Sequence, residues 1–251
     1  MQSIKLSILL LLVSSGFTSS ESAYVLEKGV REIGFFQPFR FGYSENIEFS
    51  THPISMFIMP NLSVKIRHEK YGITSRHEFI YPTPLMRFFQ KEGKFGLITS
   101  VADVGKAPHI FAFQNEIFKS ISLDKTLFTL KGGFTFAIIS EKLDERFSVD
   151  LPLIYHRLGI FYNTWGLHTG MDIERYLTKK IHVLIDFDLR LLPGIVDAQT
   201  DPDFDKLLGE YSLENKLLLI WNKSERFRIL TGYKFVNGKY PYGTDMRILP
   251  Y

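Results

Sequence analysis

The chain has 251 residues, 30 Lys and Arg against 27 Asp and Glu, and no cysteine. Without cysteine there is no disulfide, no thiolate metal site, no cysteine nucleophile and no lipid-modified N-terminal cysteine. A net charge of +3, with no basic cluster interleaved with aromatics, leaves no electrostatic footprint for nucleic acid.

Residues 1–23 read as a secretory signal peptide. Lys5 precedes the apolar run from Leu6 to Val13, which is followed by Ser14, Ser15 and Gly16. The run is far shorter than the ~20 residues a spanning helix needs. Cleavage is expected near 20–23. The bond after Ser20, with Thr18 two residues earlier, is preferred to the bond after Ala23, which puts Glu21 where a small residue is wanted. The remainder, 24–251, reads as one β domain, a length ordinary for all-β folds.

The first part of that domain carries a weak strand signal. Strands are expected at 30–36, 47–59, 62–67, 73–81, 110–121, 126–139 and 147–153, with loops at 39–46, 69–72 and 140–145. Gly132-Gly133 is expected to bend its strand. A short helix is expected around 85–90, in a stretch from 82 to 105 with no clean period.

The second part is clearer. From Phe161 to Leu177 the odd positions include Trp165, Leu167, Met171, Ile173 and Leu177, and the even ones His168, Asp172 and Glu174. After Thr178-Lys179-Lys180 the odd row continues as Ile181, Val183, Ile185, Phe187, Leu189 and Leu191, against His182, Asp186, Asp188 and Arg190. Strand side chains alternate between faces, so each strand has one oily and one largely charged face. The loop sets Leu177 opposite Ile181, and then Ile173 opposite Ile185, Met171 opposite Phe187 and Leu167 opposite Leu191.

Two further strands, 211–221 and 225–236, keep the same sidedness. Aromatics fall at their ends: Tyr211, Trp221, Phe227 and Phe235, joined by Tyr240. This is the arrangement of an interfacial girdle around an apolar band. Asn237-Gly238 reads as a two-residue type I′ turn, with Pro241 an awkward ladder residue beyond it.

The same register sets Asp172 opposite Asp186, with Glu174 and Asp188 near. Opposed like charges destabilise a sheet, so the cluster needs a shared proton, a bound cation or cations from other strands. Lys216, Arg226, Arg228, Lys234 and Arg247 fall on the same face, and a salt-bridged interior is the preferred solution. No metal site and no cofactor is expected. Asp197, Asp201, Asp203 and Asp205 lack the glycine and closing Glu of a calcium loop and read as a solvated acidic loop. Ser75 and His77 share one strand face, the spacing a lipid-directed hydrolase built on strands could use, and they stand as the candidate catalytic pair.

Alternation, short turns and the signal peptide together resemble those of bacterial outer-membrane β-barrels as a broad architectural class, over residues 24–251. The resemblance implies an antiparallel up-and-down transmembrane β-barrel of about 10–12 strands in a Gram-negative outer membrane. It also implies outer-membrane lipid as the surrounding partner and a barrel-assembly machinery during insertion. The expected role is structural, adhesive or that of a narrow conduit with a filled, salt-bridged lumen. Two alternatives stand beside it: a soluble secreted or periplasmic β-barrel holding an apolar ligand, and an outer-membrane lipid-modifying hydrolase.

Overall fold

A computed structural model of the chain describes residues 22–33, 38–90, 105–142, 160, 164–192, 210–224, 227–240 and 243–250. The fold is all-β. Its strands are β1 (Arg31–Glu32), β2 (Phe39–Ser44), β3 (Ile47–Thr51), β4 (Asn61–His68), β5 (Ile73–Ile80) and β6 (Ile110–Leu123). They continue as β7 (Thr126–Ile139), β8 (Trp165–Tyr176), β9 (Ile181–Leu192), β10 (Glu210–Ser224), β11 (Phe227–Tyr240) and β12 (Gly243–Pro250). These form one 12-stranded sheet in which spatial order equals chain order. Every neighbouring pair is antiparallel.

The turns divide into two ends. The connections β2–β3, β4–β5, β6–β7, β8–β9 and β10–β11 are tight, and all lie at one end of the sheet. The longer connections β5–β6, β7–β8 and β9–β10 lie at the other, as does the short β11–β12 connection. The β4–β5 turn is a single 3₁₀ turn, Glu69–Tyr71, closed by Gly72 in the left-handed region at φ 61°. That conformation is open to glycine at little cost.

The two faces are chemically opposite, and it is the charged face that is buried. Lys131 is 3% exposed, Glu116 2% and Glu214 3%, whereas Ile138 is 58% exposed and Leu130 52%. The buried face is filled in part by the chain's own beginning. Residues 22–30 run across β2 to β6. Lys65 Nζ donates to the carbonyls of Ser22 (2.5 Å) and Tyr24 (2.8 Å), and Thr74 Oγ1 donates to that of Ala23 (2.5 Å). The amide of Ala23 donates to Ser120 Oγ, and that of Leu26 to a carboxylate oxygen of Glu48 (both 2.9 Å). Gly42 is what admits this strap, because a Cβ there would collide with the carbonyls of Leu26 and Glu27. Near the long-loop end, helix α2 (Thr83–Phe89; α1 is Pro53–Met56) buries Leu85, Met86 and Phe89. Thr83 Oγ1 ties it to the incoming strand, donating to Pro108 O (2.9 Å) and accepting from Ile110 N (2.8 Å).

Several expectations change. The segment 39–46, read as a loop, holds β2. Its Gly42 exchanges hydrogen bonds with the strap at Gly29 and Val30, and its Arg40 pairs with Glu48 and Glu32. Of the stretch 30–36, the described residues contribute the two of β1, and 47–59 breaks after Thr51, where Pro53 opens α1. Gly132-Gly133 lies in an unbroken β6–β7 ladder. The β8–β9 register is Leu167↔Leu191, Met171↔Phe187 and Ile173↔Ile185, as the alternation requires. The expected strand 147–153 falls outside the described residues.

The Asn237-Gly238 turn is the clearest correction. Both residues lie inside β11, paired to Leu213 and Ser212 on one side and to Met246 and Asp245 on the other. The 15-residue β10 offers ladder partners as far as Tyr211↔Lys239, and that pairing outweighs a local turn preference. The ladder between β11 and β12 runs on to Tyr240↔Gly243, beyond the expected turn. Asn237→Thr is therefore expected to be neutral or stabilising by up to about 1 kcal/mol, as for a better strand former. A clear fall in the urea midpoint on that substitution would restore the turn to 237–238.

Candidate functional site

The strongest concentration of charge is built by alternate residues of β7 to β10. Asp172 on β8 is in register with Asp186 on β9, and Asp188 lies two residues further along. All three are on the buried face, so their repulsion is not screened by water. The neutralising group is Lys131 of β7. Its Nζ lies 2.9 Å from Asp172 Oδ1, 2.7 Å from Asp186 Oδ1 and 2.9 Å from Asp188 Oδ1, and its side chain is fully buried. Lys216 of β10 approaches the second oxygen of Asp186 at 2.6 Å.

Glycine makes this reach possible. Lys131, Gly170 and Asp188 lie in one register row across β7, β8 and β9. A Cβ at Gly170 would collide with the Asp188 carboxylate and the Lys131 stem. The missing side chain is the gap through which the lysine crosses one whole strand to its partners.

Smaller ion pairs extend the network. Lys234 is 2.6 Å from Glu214, and Arg190 is 3.5 Å from the same residue. His182 faces Glu174 at 3.2 Å. Arg76 pairs with Glu116, which also meets His168 at 3.0 Å. Arg40 is held between Glu48 (2.7 Å) and Glu32 (2.9 Å). Phe118 is fully buried on the same face, with Lys65 and Arg76 over its ring at 5.5 and 4.9 Å.

Among the residues singled out from sequence, Asp172, Asp186, Asp188 and Lys216 meet in one cluster. Glu174 turns to His182, and Lys234 serves Glu214. Arg247 stands opposite the buried Val236 but is exposed on the last strand. The backbone of Arg228 pairs with Asn222, and Arg226 lies outside the described residues. Lys131, Glu116, Arg40 and Glu214 were missed. For Lys131 the signal was present: it alternates with Thr129 and Thr135 on one row of β7, a row that had not been assigned a face. Asp197, Asp201, Asp203 and Asp205 lie outside the described residues. Among the described residues, no group of three or more His, Asp or Glu side chains is placed to hold a metal ion. The Lys131 ammonium itself stands between the three carboxylates.

The aromatic residues divide by end. Trp221 is exposed near the tight turns, opposite Ile181 and Ile229, and Tyr211 lies toward the long-loop end, opposite Leu191 and Lys239. Phe235 is partly exposed, and the backbone of Phe227 pairs with Ser224. The backbone of Tyr240 pairs with Gly243 at the end of β11. A longer aromatic row had gone unnoticed on β5 to β7. Tyr81 stacks on Phe111 (5.1 Å between centroids), Phe79 lies 5.5 Å from Phe113, and Phe113 stacks on Phe136 (5.1 Å).

Ser75 and His77 lie on the opposite, apolar face, on β5. Ser75 is in register with Ile66 and Ile117, and His77 with Val64 and Asn115. His77 Nε2 is 3.1 Å from Ser75 Oγ, and His77 Nδ1 is 2.9 Å from Asn115 Oδ1. His68 Nε2 also reaches Ser75 Oγ, at 2.8 Å. Asn115 and His68 were not foreseen.

Comparison of the chain with protein-family models, curated proteins and solved structures gives no match.

Removing Lys131 should expose the cost of the cluster. Lys131→Met leaves three buried carboxylates facing one another, and a loss of about 3–5 kcal/mol is expected, as for a buried pair broken on one side. Lys216→Gln should cost clearly less, since the Lys216 side chain is 12% exposed. Urea unfolding in detergent measures both; equal losses would mean that water reaches Lys131.

Proposed function

We propose that the chain closes into a transmembrane β-barrel of the outer membrane, exported by a cleaved signal peptide, whose lumen is filled and salt-bridged rather than open. Its role in this reading is structural, adhesive or that of a narrow conduit. The observation that carries the proposal is the inverted distribution of side chains. Buried Lys, Asp and Glu are matched in ion pairs on one face, while the other presents Leu, Ile, Phe and Trp to the surroundings.

In water such an exposed face is unfavourable by about 25 cal/mol per Å², and it is far larger than the apolar patches of ordinary soluble surfaces. In a bilayer it is the required face. A sheet survives in hydrocarbon only when closed, because an open edge leaves backbone donors and acceptors unpaired. The meander of 12 antiparallel strands and the split between tight turns and long connections both fit that architecture. In such barrels the tight turns face the periplasm. Among the described residues no helix is long and apolar enough to cross a membrane.

A soluble barrel holding an apolar ligand would need the opposite arrangement, with the oily face inward. Support for a filled lumen comes from the strap 22–30 and from Lys131, both of which occupy the charged face. Cleavage after Ser20 fits this interior better than cleavage after Ala23, because Ser22 and Ala23 supply carbonyls to Lys65 and Thr74.

Fractionation tests the proposal. The chain should stay in the outer-membrane fraction until detergent is added and show heat-modifiable gel migration. In planar bilayers it should give no steady large-pore conductance. Leu217→Arg, which replaces a mid-strand residue paired to Ile185 and Tyr233, should destabilise the detergent-folded form by about 2–4 kcal/mol. Recovery in the soluble periplasmic fraction after osmotic release would overturn the membrane reading.

A further inference from the structure

We infer that Ser75, His77 and Asn115 form a nucleophile–base–orienter triad on the apolar face, and that it hydrolyses acyl esters of glycerophospholipids. The inference rests on the barrel reading for access to its substrate.

The polar groups stand where nothing structural calls for them. The row around them is apolar: Val64, Ile66, Ile117 and, one step along, Phe79 and Phe113. Hydrogen-bonding side chains set among these apolar residues are costly in lipid. Yet they are ordered by specific hydrogen bonds rather than replaced by Leu or Val.

The geometry assigns the roles. Asn115 Oδ1 can only accept, so the 2.9 Å contact puts the ring proton of His77 on Nδ1. Nε2 is then the free base, 3.1 Å from the Ser75 hydroxyl. His68 Nε2 meets the same oxygen at 2.8 Å, and with its ring proton on Nε2 it donates there and leaves the serine's own proton for His77. Ser75 is recessed, at 8% exposure, while His77 is open to the surroundings.

The chemistry balances with water alone as co-reactant. Ser75 Oγ attacks the ester carbonyl carbon and passes its proton to His77 Nε2. As Oγ turns to the substrate, the His68 N–H becomes a donor for the developing oxyanion. The intermediate collapses with cleavage of the bond to the glycerol oxygen, which takes the proton from His77. Water then adds to the acyl-serine, again through His77. Oγ leaves, taking the proton back from His77, and the fatty acid is released, the lysophospholipid having departed with the glycerol oxygen in the first collapse.

Position identifies the substrate class. Ser75 is separated from the tight β4–β5 turn only by Ile73 and Thr74, a rise of about 7–10 Å. That depth is just inside the apolar band, where acyl esters lie. On β6, Lys119 is exposed two residues beyond Ile117 toward the same end, and Lys70 lies on the turn itself. A lipid with its chain along Ile117 and Phe113 would therefore hold its phosphate near two cations.

The test uses the full chain folded into mixed micelles of phosphatidylethanolamine and detergent, with release of fatty acid measured. Wild type should release fatty acid and lysolipid, and a fluorophosphonate probe should label Ser75, identified by mass spectrometry. Ser75→Ala and His77→Ala should each lower turnover at least ~10³-fold, and Asn115→Ala about 10- to 100-fold, with heat-modifiable migration unchanged. His68→Phe should lower kcat with little change in KM. Lys119→Gln should raise KM for phospholipid but not for a neutral monoacyl ester. Folded, heat-modifiable wild type that neither hydrolyses phospholipid nor takes the probe at Ser75 sinks the hydrolase and leaves the barrel standing. Activity undiminished in Ser75→Ala sinks it equally.

Discussion

A lysine ammonium that no water reaches must be met by carboxylates, and much of this sheet is arranged around that requirement. Lys131 leaves β7, crosses β8 over Gly170 and ends among Asp172, Asp186 and Asp188. Slipping any of these strands by one residue would turn the charges to the other face. The three aspartates would then lie among Ile, Phe and Leu, and the lysine would be buried without a partner. The ion cluster thus pins the register of β7, β8 and β9, and with it the row of apolar side chains that faces outward. The identity of the exposed face is decided from the buried one.

The first half of the sheet solves the same problem differently. Its buried face is narrower in charge, and the chain's own segment 22–30 lies across it as a run of peptide groups. Lys65, Thr74, Ser120 and Glu48 treat that run as a ligand, each bonding a carbonyl or an amide. Burying backbone here costs little, because its polar groups find partners. One half of the interior is therefore satisfied by side-chain ion pairs and the other largely by main chain.

These interior contacts bear directly on the outer face. Arg76 and Glu116 are paired inside, and they are the immediate chain neighbours of His77 and Asn115. The bridge locks β5 against β6 at the very register that brings imidazole to amide outside. A site carried on two strands fixed from behind is held more tightly than one carried on loops. The same rigidity explains how a polar constellation persists in apolar surroundings without rearranging.

Some of this was legible in the chain. The period-2 alternation of β8 and β9, with the three-residue loop between them, gave their pairing and therefore the opposition of Asp172 and Asp186. Ser75 and His77 were visible as one face of one strand, because positions two apart share a side whatever the fold. Asn115 is 38 residues from His77, and no local pattern joins them. Lys131 stood in an alternating row whose face its own strand could not assign, because Asp172 lies on the neighbouring strand and Asp186 and Asp188 two strands away. Asn237-Gly238 misled because turn preference is local and weak, while pairing with a long β10 is repeated at every residue. Alternation is a property of the chain, and so it determined which side chains share a face. Which face is buried, and which strands stand side by side, depends on contacts distant in sequence. Only the assembled sheet decided that the lysine would sit among aspartates and that the histidine would find its asparagine.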